Sequence, residues 1–104
     1  LAFASDQMAL VLAQEAVSLG IDKLLTPTER GFVYLPFMHS ESLKIHEVAE
    51  QIYRQNGVQS SLEWEIKHKV IIERFGRYPH RNEILSRKST QEELDFLQQP
   101  NSRF

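Results

Sequence analysis

Cysteine is absent from the 104 residues of this chain. That removes disulfides, thiolate metal ligands and a cysteine nucleophile together, and a cytoplasmic location fits a chain without them. Long apolar runs are missing too. None approaches the ~20 residues of a membrane-spanning helix, and no charged and apolar leader opens the sequence. No segment alternates apolar and polar residues over the length of a strand. No serine lies in a Gly-x-Ser-x-Gly elbow. The four histidines show no His-x3-His pair or other recognised metal spacing, so neither a metal nor a cofactor is expected.

What remains is the composition of an ordinary soluble domain, 41% hydrophobic and 25% charged, with room for one domain over 1–104. The chain starts at Leu1 without an initiator methionine, and Leu1, Phe3 and Met8 crowd that end with apolar side chains. Truncation of a longer domain is the expectation. It carries a second one, an exposed apolar face through which copies self-associate.

Helix punctuation is dense. Ser5 or Asp6 starts a first helix to about Leu19, closed by Gly20. Thr26-Pro27-Thr28-Glu29 combines an N-cap, a proline at the first helical position and a capping-box glutamate. The helix it opens runs toward Met38, with Pro36 ending or kinking it. Ser40 is predicted to cap a third helix to Asn56. Ser60 and Ser61 open a fourth that closes at Gly76, a short turn follows from Pro79 to Leu85, and Ser89-Thr90 caps a last helix to about Gln98.

The predicted class is all-α, five to six helices in antiparallel hairpins. Helix starts at Asp6 and Glu41, and at Pro27 and Ser61, lie 35 and 34 residues apart, which points to a tetratricopeptide-like array. Wide apolar arcs agree with helices that have neighbours on two sides. One arc holds Met8, Ala9, Leu12, Ala16 and Leu19, widened by Leu10, Ala13 and Val17. Another holds Trp64, Ile71, Ile72 and Phe75, beside Leu62, Ile66 and Val70.

Charge is unevenly spread. Over 74–88, Arg74, Arg77, Arg81, Arg87 and Lys88 face only Glu83, a balance of +4 that leaves −6 for the rest. A local basic patch on an acidic body suits a small anion or an acidic peptide and argues against nucleic acid, which wants a broad positive surface.

Three places carry candidate chemistry. Arg77, His80, Arg81 and Asn82 fan out from a bend set by Gly76 and Pro79, and arginine forks bind carboxylate or phosphate. Equally, these arginines can pair with internal acids such as Glu29, Glu41 or Glu73. His68 falls within the apolar stripe of the fourth helix, either a satisfied core histidine or one lining a half-buried site. His39-Ser40-Glu41 follows the Pro36 kink, with Ser40 as cap, Glu41 as a first-turn charge and His39 unexplained by capping.

Four segments together resemble one bacterial family, known as "domain of unknown function 924". They are Phe3–Asp6, Glu29–Glu41 (Glu-Arg-Gly-Phe-Val-Tyr-Leu-Pro-Phe-Met-His-Ser-Glu), His68–Asn82 and Ser89–Glu93. The resemblance implies an all-helical, tetratricopeptide-like fold. It also implies that this chain is the C-terminal portion of such a domain, because members carry an earlier Asp-Gln-x-Pro-Arg-Asn motif that is lacking here. The motif positions present are His39, Ser40, Glu41, His68, Arg77, His80, Arg81 and Asn82. Tyr78 stands where phenylalanine is common, and Ser86 where glycine is usual before Arg87.

Two functions stand at this point. One is an interaction module with an Arg/His pocket for an acidic partner or anion. The other is an enzyme on a phosphorylated or carboxylated substrate, with Arg77, Arg81 and Asn82 holding the anion and His39, His68, His80 and Glu41 doing acid–base work.

Overall fold

A computed structural model describes residues 5–100, Ser102 and Arg103; the Phe3 and Ala4 part of the resemblance lies outside them. Six α-helices follow in order: α1 (Asp6–Ser18), α2 (Pro27–Val33), α3 (Leu35–Met38), α4 (Leu43–Asn56), α5 (Gln59–Phe75) and α6 (Gln91–Phe96). Short 3-10 turns cover Ile21–Leu24 and Pro79–Arg81. There is no strand among the described residues, and no described helix is long and apolar enough to cross a membrane. The fold is all-helical.

Local chemistry explains most boundaries. Thr26 caps α2 through a capping box, with Glu29 N–H on Thr26 Oγ1 at 3.3 Å and Thr26 N–H on Glu29 Oε1 at 2.9 Å. Thr90 and Glu93 repeat the device at α6, at 3.1 and 2.9 Å. Gly57 and Gly76 stop α4 and α5 at φ of 77° and 71°, left-handed values that favour glycine. The predicted second helix breaks at Tyr34 into α2 and α3, and Pro36 then sits in the first turn of α3, where a missing N–H breaks no helical bond.

Two predicted starts move. Ser42, not Ser40, caps α4 by accepting from Ile45 N–H at 3.4 Å, while Ser40 Oγ accepts from Ser42 N–H in the linker. Glu41 is therefore a linker residue and not a first-turn charge. α5 begins at Gln59 behind Val58, which offers no side-chain cap. Starts at Asp6 and Leu43, and at Pro27 and Gln59, lie 37 and 32 residues apart, either side of the predicted spacing.

The α4–α5 hairpin is the most extensive helix pair, and α3 lies between α1 and α4. Phe37 packs with Ala13 of α1 and Ala49 of α4. Tyr34, Met38, Tyr53 and Leu62 form the adjoining cluster, while Ile71, Ile72 and Tyr78 form a third toward α6. α1 turns Leu10, Ala13 and Val17 inward. The other half of its predicted arc faces out, with Met8, Leu12 and Leu19 63–65% exposed. Trp64 also leaves its predicted core stripe, and Lys67 Nζ lies 4.8 Å over its ring. The inward face of α5 is Leu62, Glu65, His68, Ile71 and Ile72, so two of its five buried positions are polar.

Candidate functional site

The linker from α3 to α4 and the bend after α5 are stitched together by Glu41, Tyr78 and Arg87. Arg87 grips Glu41 with both ends of its fork, at 2.9 and 3.0 Å, and Tyr78 N–H donates to Glu41 Oε2 at 2.6 Å. Burial alone would raise the Glu41 carboxyl, but the Arg87 fork, the Tyr78 N–H and the Arg87 and Arg81 charges hold it below the ordinary range. Arg87 also donates to Asn82 Oδ1 and to the Tyr78 carbonyl. Asn82, 1% exposed, donates onward to Ser89 Oγ and Glu93.

Tyr78 is the centre of the aromatic packing. All four histidines gather around it. The His46, His68 and His80 rings lie 6.2, 5.7 and 5.7 Å from its centroid, and His39 joins through His68 at 6.1 Å. Arg81 covers the same tyrosine at 4.9 Å and donates to the His39 carbonyl at 3.0 Å. Beneath them lies a buried relay that sequence reading missed. His46 Nε2 is 2.6 Å from the Ser40 carbonyl and must carry a proton there. Tyr78 Oη is 2.9 Å from the same nitrogen and gives its own hydrogen to the Met38 carbonyl at 2.6 Å. His46 Nδ1 is hydrogen-bonded to Glu65 Oε2 at 2.9 Å, and Glu65 Oε1 has no partner among the described residues.

These surroundings set the protonation states. Burial lowers His68 to about 4, against the pull of its Nδ1 bond to the Trp64 carbonyl at 2.7 Å. His39 is lowered by lost hydration and then by the Arg81 charge, and His80 by burial and then by Arg81 and Arg103. Burial raises Glu65, against its His46 partner. Three neutral imidazoles therefore surround Tyr78 at neutral pH.

An open cleft of about 1090 Å³ lies beside this cluster, between α1, the 35–42 segment and residues 81–86. Of the sequence-predicted residues it collects His39, Ser40, Glu41 and Arg81. His68 stands behind His39, and His80 opens on another, smaller cavity. Arg77 points elsewhere. Its fork holds Glu93 at 2.9 and 2.7 Å and its Nη2 reaches the Lys88 carbonyl, tying α6 to the end of α5. Arg77 thus pairs with Glu93 and Arg81 meets Asp6, neither of them among the acids that sequence offered, while the offered Glu41 is taken by Arg87. Among the described residues, no three His, Asp or Glu side chains are gathered as metal ligands.

An all-helical chain that sets a histidine-ringed tyrosine behind an arginine-bearing cleft is the class these observations define. The family is then plain: the model for bacterial proteins of unknown function, DUF924, matches residues 1–101, and the chain belongs to that family. The structure is similar to that of a protein of unknown function, ATU0120 from Agrobacterium tumefaciens, with TM-score 0.86 and 39% identity. The match covers 91% of this chain and 53% of that one, so the chain spans about half the length of that relative. No curated protein matches it.

Proposed function

We propose that the protein is a cytoplasmic helical binding module of tetratricopeptide-like build, whose cleft seats an acidic peptide by a carboxylate on Arg81. One observation carries this reading. The Arg81 side chain is only 10% exposed at the cleft wall and is held by the His39 carbonyl and the Tyr78 ring, yet the Asp6 carboxylate meets it at 3.8 Å. The cleft wall thus already draws one carboxylate to this guanidinium, and the carboxylate of a peptide competes with Asp6 for the same charge. Leu10, Leu35, Pro36 and Ile45 supply apolar wall for neighbouring side chains of the peptide.

The enzymatic reading has less behind it. It requires Arg77 as an anion clamp and Glu41 as an orienter of imidazole, and these two are engaged by Glu93 and Arg87.

The test is an NMR titration with a short peptide rich in leucine and glutamate. Amide shifts are expected at Asp6, His39, Arg81 and Leu85. Asp6→Asn removes the competing carboxylate and is expected to tighten binding roughly two- to fivefold, the scale of an exposed ion pair. Binding unchanged or weakened by Asp6→Asn, or shifts confined to other surfaces, overturns the reading.

A further inference from the structure

The second cavity, about 390 Å³, opens between the 79–89 segment, α6 and the C-terminal tail. Its size is that of a small-ligand site. Arg87, Arg103, His80 and Ser89 line it with polar side chains, and Pro79, Leu94 and Leu97 give it an apolar side. Glu83 is the one acid in its lining among the described residues.

Each polar group is placed by something identifiable. Ser102 is 3% exposed, and its hydroxyl reaches the Leu97 and Gln99 carbonyls at 3.2 and 2.8 Å. That pin holds Ser102 against the turn that follows α6, with Arg103 beside it in the cavity wall. Arg103 pairs with no carboxylate among the described residues. Arg87 uses four of its five N–H groups on Glu41, Asn82 and Tyr78, leaving one on Nη1. Ser89 Oγ accepts from Asn82 at 3.0 Å, so its own hydrogen is left to donate. His80 is held back from protonation by burial first, then by Arg81, Arg103 and Arg87 together, with Glu41 opposing. Two arginines against one acid among the described lining residues leave the cavity a positive balance, which a dianion relieves.

We propose that this cavity is a binding site for a phosphate monoester: Arg103, Arg87 and Ser89 hold the phosphoryl oxygens, and Pro79, Leu94 and Leu97 pack the apolar group that bears them. The phosphoryl dianion returns a negative charge to His80, which then takes up a proton and becomes a further donor.

The experiment titrates the full chain with phenyl phosphate and with inorganic phosphate, and follows His80 imidazole and Arg103 side-chain resonances. Phenyl phosphate is expected to bind more tightly than inorganic phosphate and to raise the His80 titration midpoint. Arg103→Ala, an exposed position near the end of the chain, is expected to weaken binding about tenfold, the worth of one charge-assisted bond. Leu94→Glu, also on the surface, should abolish binding by placing a carboxylate at the rim. Phenyl phosphate is expected to move amides over 79–89 and to leave those of Leu10 and Leu35 in the separate cleft unmoved, so the two sites fail or succeed independently. An unmoved His80 midpoint, affinity indifferent to Arg103→Ala, or equal affinity for the two phosphates overturns the proposal.

Discussion

At the scale of single residues, Ser86 is the clearest tension between sequence and backbone. It sits at φ 56°, the only left-handed non-glycine among the described residues, and the following Arg87 N–H donates to the Asn82 carbonyl at 2.7 Å. The left-handed conformation costs a residue with a Cβ about 1–2 kcal/mol, while glycine loses about 0.5–1 kcal/mol in chain entropy. Ser86→Gly is therefore expected to stabilise by about 0.5–1 kcal/mol, seen as a melting temperature a few degrees higher; an unchanged or lower one would show that the strain is relieved elsewhere. The resemblance made this position legible, since it implies a glycine there. Tyr78 was legible in the same way, and its extra hydroxyl turns out to be engaged by Met38 and His46. His46 and Glu65 were not. Each occupies a buried position on a helix face together with apolar residues such as Ala49, Tyr53, Leu62 and Ile72. Their pairing spans 19 residues between two helices, which no single-helix pattern reveals.

At the scale of elements, stops and capping boxes were readable because their chemistry is local. Gly57, Gly76, Thr26 and Thr90 all act within a few residues of where they stand. The starts of α4 and α5 were not, because Ser40 competes with Ser42 and Val58 carries no cap chemistry at all. What fixes α6, only six residues long, is tertiary: Glu93 serves its own capping box and the Arg77 fork at once. The Arg77 bonds lower Glu93 to about 2 against burial, helped by Thr90 N–H and Asn82. A carboxyl lowered in the folded state stabilises above its unfolded value near 4.5, and that contribution fades as pH falls toward 2. Glu93→Gln keeps the capping-box geometry but removes the buried charge that the half-exposed Arg77 fork grips. We expect a loss of about 1–2 kcal/mol, reduced by the exposure of Arg77, with amide exchange accelerating first over 91–96. Uniform acceleration across all helices would mean that α6 is not the element this pair secures.

At the scale of the molecule, the meeting of the 39–41 and 77–82 motifs was legible as a family pattern, but the division of labour within them was not. Arginines and acids in one sequence window can pair in many ways, and only the three-dimensional arrangement sends Arg77 to Glu93, Arg87 to Glu41 and Arg81 to the cleft. The same arrangement gives the whole fold a pH dependence. His39, His68 and His80 all titrate below 6.5 in the folded chain. The unfolded chain takes protons first as pH falls, so stability is full above about 6.5 and is lost from there down to the folded values. For His68, 4% exposed and lowered to about 4, the full effect is about 3 kcal/mol. Glu65 has the opposite sign: raised in the fold, it favours the native state below 4.5 and loses that advantage as pH rises through its folded value. His68 sets the scale of the fall between pH 6.5 and 4, with His39 and His80 adding to it and Glu65 opposing it. The urea midpoint is therefore expected to fall steadily as pH drops from 7 to 4.5. His68→Gln, which can still donate to the Trp64 carbonyl but cannot titrate, should flatten that fall. A midpoint that stays level over this range, or a His68→Gln profile parallel to that of the parent chain, would mean that the ring of neutral imidazoles around Tyr78 does not govern acid stability.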